Sequence, residues 1–376
     1  SARAFAIPAL VALGYDDSGT SPDTGTTAAA QHSSAIALTD DDATLFVVNP
    51  DADSVSVVDT ASRTLVREIL LAGAHPQADA TGAYAPSVMP RALALSPDEK
   101  TLFVTGERSS KLHVIDVASG APTAAIAVCS EPVGLVLSRD GRDAFVACSQ
   151  DDSVVRVDTQ SGAVDATAHV GSEPWALAWS SDGATLFASN FLTANVTPID
   201  PTTMTPKPPF VVPDVAPRGD RRLAHGEARG LYDLAVRSGA GELWIAHTFL
   251  ATDTAQPELD FESTAFAAIA IASEKGVFAP TLSVDADDVP GVDGAFGDIV
   301  SAPHAVAFTR DGAWALVVDT ASEDVLVVDA ARRVESSLLR PLPGHQPEGI
   351  VLSPDETRAY VTERNTQDVV VLDVTR

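Results

Sequence analysis

Eight histidines are spread through the 376 residues, and six of them, His32, His75, His225, His247, His304 and His345, map to one face once the repeats are aligned. His113 and His169 fall within outer strands. Neutral imidazole is a common ligand for Zn or Cu, so His225, His247, His304 and His345 form a candidate transition-metal set. Against it stands the reading of separate loop histidines, with His345 in Gly344–Pro347 simply leading into a strand. Asp285, Asp287, Asp288, Asp293 and Asp298, with Gly291, Gly294 and Gly297 between them, make an oxygen-rich loop of the kind that suits Ca. Their spacing is not that of an EF-hand, and a solvated acidic loop is the simpler account. No GxSxG occurs, no cysteine pairs with a histidine, and no CxxC or CxxCH is present. No catalytic residue is therefore assigned.

The elements that position these groups are repeats. Asp41/Asp59, Asp98/Asp116, Asp140/Asp158, Asp182/Asp200, Asp311/Asp329 and Asp355/Asp373 all stand 18 residues apart, a turn aspartate followed by one that closes an apolar strand. Self-similarity of this length marks a propeller, solenoid or array. The second unit contains four short β-branched or alternating runs: Ala92–Leu95, Thr101–Thr105, Leu112–Asp116 and Thr123–Val128. Short turns such as Ser96–Glu99, Asp140–Gly141 and Ala118–Gly120 join them, so each unit reads as a four-stranded antiparallel meander. Units recur every 42 residues where nothing is inserted, a blade-sized period. Counting a degenerate fifth unit (Arg229–Val236, Glu242–His247, Phe266–Ala272), the chain is expected to be an all-β, seven-bladed propeller. The periodic aspartates then accept turn amides and are not catalytic carboxylates.

The last unit ends without an outer strand. The apolar run Ala4–Leu13 has the length to fill that slot, although Phe5–Leu13 also resembles the core of an export signal. The expected organisation is a closing strand in residues 1–14, a surface linker over 15–31 and a propeller over 32–376.

In such a ring, strand starts, strand-b ends and the insertions Gly73–Met89, Pro213–Ala228, Thr248–Ser263 and Asp285–Pro303 share one face. Rigidly held loops are where binding groups concentrate. Seven residues before each turn aspartate, or its counterpart in the fifth unit, stand Ser34, Arg91, Val133, Trp175, Tyr232, His304 and Glu348, mostly followed by Ala or Gly. Of these, Arg91, Trp175, Tyr232, His304 and Glu348 are the candidate ligand or partner contacts at the channel mouth; plugging of the channel is the alternative. Cys129 and Cys148 lie at neighbouring ends of one hairpin, where a disulfide is expected.

Charge narrows the partners. The formal net charge is −28, from 52 acidic against 24 basic residues. That argues against nucleic acid, which basic residues must neutralise, and against an anionic membrane surface. No run approaches 18 apolar residues, so no transmembrane segment is expected.

The tetrads ending strand b, Phe46–Asn49, Phe103–Gly106, Phe187–Asn190 and Tyr360–Glu363, sit between LSPDE or LSRDG and VIDV or VVDT segments. Together they resemble the YVTN family of propeller repeats over residues 32–376. That resemblance implies a periplasmic or cell-surface protein similar to lactonase-type propellers, to envelope binding proteins, and to propellers that precede di-haem peroxidase-like domains. It implies a binding module for a protein partner or small ligand, with a haem-bearing partner domain among the expected neighbours. The alternative it carries is a lactonase-like or metal-dependent enzyme using His225, His247, His304 and Arg91 around the channel.

Overall fold

Valine, isoleucine, leucine and alanine alternate in runs of about six residues, and the chain folds them into seven sheets of four-stranded type. The structure is a computed structural model that describes residues 9–12, 32–217, 224–251, 264–283, 302–339 and 342–375. Each blade is a meander of strands a to d, as in blade three: Pro132–Leu137, Asp143–Cys148, Ser153–Asp158 and Ala163–His169. Among the described residues helix is confined to two short 3₁₀ turns, Pro50–Ala52 and Ser149–Asp151. Among the described residues no helix is long and apolar enough to cross a membrane.

The aspartate pairs act locally. Asp98 accepts from Ser96 Oγ at 2.7 Å, and Asp140, Asp182, Asp311 and Asp355 repeat this with the Ser or Thr two residues before them. Asp59, Asp116 and Asp158 accept both the amide and the hydroxyl of a serine three residues on. These bonds hold the three carboxyls below the usual carboxylate range. The residue after the turn aspartate is left-handed: Gly141, Gly183 and Gly312 in three blades, but Asp42 (φ 57°), Glu99 (φ 56°) and Glu356 (φ 55°) in three others. Those strained acids reach across to a neighbouring blade. Glu99 accepts the Asp40 amide, Glu356 the Arg310 amide, and Asp42 pairs with Arg358 and Tyr360 Oη.

The core is divided rather than central. Seven buried apolar clusters lie one between each adjacent pair of blades. The cluster joining blade seven to blade one is built on Ile36, Leu45, Val47 and Val58 against Tyr360, Val369 and Val371. Polar bonds supplement it: Asp42 with Arg358 and Tyr360, and Arg364 Nε with Asp51 at 3.2 Å. Cys129 and Cys148 form the expected disulfide.

Blade seven receives its outer strand from the N-terminus, Ala9–Ala12, as the missing fourth strand required. It runs parallel to strand c (Ala9 opposite Leu372, Ala12 opposite Thr375), unlike every other outer strand. A strand not tied by a hairpin is free to take either direction. Blade four also departs from the pattern: its outer edge is two short pieces, Thr205–Pro206 and Phe210–Val211, both on strand c. Deleting residues 1–12 exposes the edge of Asp368–Thr375 and should lower Tm by several degrees in a thermal melt, about 2–4 °C per kcal/mol for a domain of 150–250 residues. An unchanged Tm would mean the ring closes without this strand.

Candidate functional site

Strand a begins with proline in five blades, at Pro90, Pro132, Pro174, Pro303 and Pro347. Proline suits a strand's first residue because no ladder N–H is needed there. The residue before each is left-handed (Met89, Glu131, Glu173, Ala302 and Gln346, φ 51–59°), and the register then slips by a bulge. A bulge re-aims the side chain beside it. All seven aligned positions, Ser34 to Glu348, line one cavity at the channel mouth, enclosing ≈ 590 Å³ including its open end.

The mouth residues fix one another. The Arg91 guanidinium lies 5.8 Å from the Trp175 ring centroid and pairs with Glu107. Trp175 meets Phe191 at 5.5 Å, Phe191 meets Tyr232 at 5.1 Å, and Tyr232 meets His304 at 5.3 Å. His304 Nδ1 is 3.0 Å from the Glu348 carbonyl oxygen, and Arg364 donates to Glu348 Oε1 at 3.0 Å. Aromatic faces thus form one arc of the rim, with charged pairs closing the rest. Phe191 belongs to this arc although no aligned column contains it.

Inside the mouth lies a group that the column of small residues hides. Ala35, Ala92, Gly134, Ala176, Ala305 and Gly349 follow the rim residues, but blade five puts Asp233 there. It is buried, with Oδ1 accepting the Leu234 amide at 2.8 Å and Oδ2 the Val306 amide at 2.9 Å. Burial pushes its carboxyl up, opposed by His32, those two amides and His304. The break in an otherwise Ala/Gly column is the signal that finds it.

Residues 32–35 occupy the channel axis. Ser33 Oγ accepts the amides of Leu135 and Leu177, each at 3.0 Å, and the Ser34 carbonyl accepts the Leu93 amide at 2.9 Å. Gly134 is glycine for this reason: a Cβ there would meet Trp175 O at 2.4 Å and Ser33 Oγ at 2.9 Å. His32 lines the mouth cavity and also a second cavity toward the opposite face.

The remaining histidines do not converge. His225 and His247 are 1% and 0% exposed, so both imidazoles lie in the protein interior. Strands a and b of blade five extend to Glu227–Arg237 and Glu242–Leu250, longer than the repeat; His247 lies beside Phe249 at the strand-b position where other blades bury Asn49, Asn190, Asp319 and Glu363. Burial holds the His247 imidazole neutral, its pKa pushed down to about 4. His75 and His345 are exposed beside Glu68 (3.5 Å) and Glu323 (2.7 Å). Among the described residues no group of three or more His, Cys, Asp or Glu side chains is placed to hold a metal ion. The Asp285–Asp298 loop proposed for Ca lies outside the described residues.

Beside the mouth a smaller cavity between blades seven and one is lined by Glu348, Arg364, Glu363 and Asp368. Glu363 is 1% exposed and opposite Asp368, with no hydrogen-bond partner for either oxygen among the described residues. Burial, with Glu323 and Asp368 adding, pushes its pKa up to about 8.

These geometries define a class: an all-β seven-bladed propeller with a concave, aromatic-lined mouth on its axis. Neither a protein-family model nor a curated protein matches the chain, so the YVTN likeness rests on the blade motifs alone. Among solved structures it is similar to a chain of hydrazine synthase from Kuenenia stuttgartiensis, at 18% identity and a TM-score of 0.74. The alignment covers 96% of this chain and 99% of that one, a likeness of fold.

Two stability measurements test this geometry. Asp233→Ala leaves two buried amides unpaired, at about 1–3 kcal/mol each, whereas Asp233→Asn keeps one acceptor and should fall between it and the wild type in denaturant melts. Equal stability of all three would remove the capping role. The folded pKa of Glu363 lies above its unfolded value of 4.5, so the native state binds the extra proton between pH 4.5 and about 8. Its contribution is complete below pH 4.5 and is lost as pH rises through about 8. Glu363→Gln should therefore gain in Tm relative to the wild type across that window. A difference independent of pH would refute the assignment.

Proposed function

We propose that the chain is an extracytoplasmic binding module that takes a small ligand, or one group of a protein partner, at the channel mouth on its loop-rich face. The observation that carries this reading is the convergence of the repeat's most varied column, Ser34 to Glu348, on one concave cavity. Their neighbours are uniform and small, as the wall of a ring requires, so the variation is concentrated where a ligand would touch. The stacked arc from Trp175 to His304 pre-organises the surface, which lowers the entropy lost on binding. The Cys129–Cys148 disulfide supports an oxidising compartment. Similarity to a chain of hydrazine synthase supports a ring of this size working within a larger enzyme, and a haem-bearing domain is the partner we favour.

A second reading, an enzyme with its site at the same mouth, is favoured by one feature. Asp233 is a buried carboxyl held up by burial beside His32 and His304, the setting in which acid–base groups are tuned. Its two amide bonds favour a structural duty instead, so binding stands first.

A thermal-shift screen of small polar ligands distinguishes the outcomes. Ligands that raise the wild-type Tm should lose at least about tenfold in affinity, near 1.4 kcal/mol, in a Trp175→Ala/Tyr232→Ala variant. Ligands bound equally by that variant would place the binding surface elsewhere. Turnover of a ligand that disappears in Asp233→Asn would favour the enzyme.

A further inference from the structure

On the face opposite the mouth, a cavity of ≈ 1020 Å³, part of it open solvent, lies between blades three and four. It is bounded by the a–b turns Ser138–Arg139 and Ser180–Gly183 and by Pro201 and Thr202. Two of its lining residues break the repeat.

The first is Trp179, which ends strand a where blades one, two, three and seven carry Leu38, Leu95, Leu137 and Leu352. The indole is held in place. Its Nε1 donates to Leu137 O at 2.9 Å, and the ring stands perpendicular to Phe145 with centroids 5.2 Å apart.

The second is Asp143, which opens strand b and is paired in register with Asp158. Blades one and two place Thr44 and Thr101 opposite the corresponding Asp59 and Asp116, and blade seven places Arg358 opposite Asp373. Like charges directly opposed on adjacent strands destabilise a sheet. Asp158 is committed to its turn, accepting the amide and hydroxyl of Ser161 at 2.6 and 2.7 Å. The cation facing Asp143 is Arg156, and its guanidinium is taken up by both oxygens of Asp165 and by the carbonyls of Pro201 and Thr202. Burial pushes the Asp143 carboxyl up; Arg156 opposes this, and Asp165, Asp140 and Asp158 reinforce it. No described residue donates a hydrogen bond to that carboxylate. Arg139 stands exposed at the rim, where solvent and salt screen it.

A carboxylate in want of a donor, beside a fixed aromatic wall, recognises an organic cation. The ammonium hydrogen-bonds the carboxylate and the adjoining carbons pack on the indole. We propose that this inter-blade cavity is a second binding site, for a small alkylammonium ligand, with Asp143 as its anion and Trp179 as its wall. A bound ammonium also neutralises Asp143 opposite Asp158, so the departure from threonine is compensated when the site is filled.

The four tryptophan indole N–H resonances of the full chain give the readout, with Trp179 assigned by its loss in Trp179→Phe. Titration with n-butylammonium chloride at constant ionic strength should shift the Trp179 resonance saturably, while sodium chloride and 1-butanol at equal concentration leave it in place. Asp143→Thr, which installs the residue of blades one and two, should weaken the interaction by at least about fivefold and leave Tm equal or higher. The proposal fails if the shift does not saturate, if 1-butanol reproduces it, if Asp143→Thr binds as tightly, or if only the Trp175 resonance at the mouth responds.

Discussion

Seven inner strands run to one axis, and each turns an edge of backbone toward it that no further strand can cover. An unpaired amide there costs about 1–3 kcal/mol, so the axis must be furnished with acceptors before the ring can be stable. Three residues supply most of them. Ser34 serves Ile36 and Leu93, Ser33 serves Leu135 and Leu177, and Asp233 serves Leu234 and Val306. The plug and the blade-five aspartate are thus two halves of one device, the first serving blades one to four and the second blades five and six. The mouth is shallow because that device fills the space beneath it, and its rim residues keep fixed positions because their strands are pinned at the next amide.

Ring closure is the complementary constraint. A blade has two apolar faces and is stable only between two neighbours, so the chain buries its core in seven interfaces. The junction of blade seven with blade one joins parts of the chain more than 300 residues apart. Its apolar contact is reinforced by Asp42, Arg358, Tyr360 and Arg364, and its outer edge is covered by Ala9–Ala12. Partly buried bonds to charged groups contribute more than exposed ones, which suits a seam whose closure entropy is large.

What could be read in the sequence follows from how local each cause is. The turn aspartates bond groups two or three residues away, so their spacing reported the hairpins, the blade count and the vacancy on blade seven. The rim column was legible because every blade reaches the axis after the same number of residues. The plug was not, since Ser33 bonds Leu177 across 144 positions and nothing near Ser33 announces it. Asp233 was visible only as an exception in a column of small residues. The burial of His225 and His247 was not legible, because a repeat offset locates a residue along its blade without showing what packs over it.

Departures from the repeat are of two physical kinds, and the difference bears on function. Asp233 replaces a small residue but satisfies amides that would otherwise be orphaned, so its burial is compensated within the fold. Glu363 and Asp143 each face another carboxylate, as Asp319 also faces Asp324 in blade six, and have no hydrogen-bond donor of their own among the described residues. Glu363 answers by holding a proton in an enclosed space. Asp143 is half-buried at a cavity wide enough to admit a solute, so a cation from outside can supply what the chain does not. An uncompensated charge beside open volume is therefore a stronger pointer to a ligand than the many periodic carboxylates, whose hydrogen bonds are already complete.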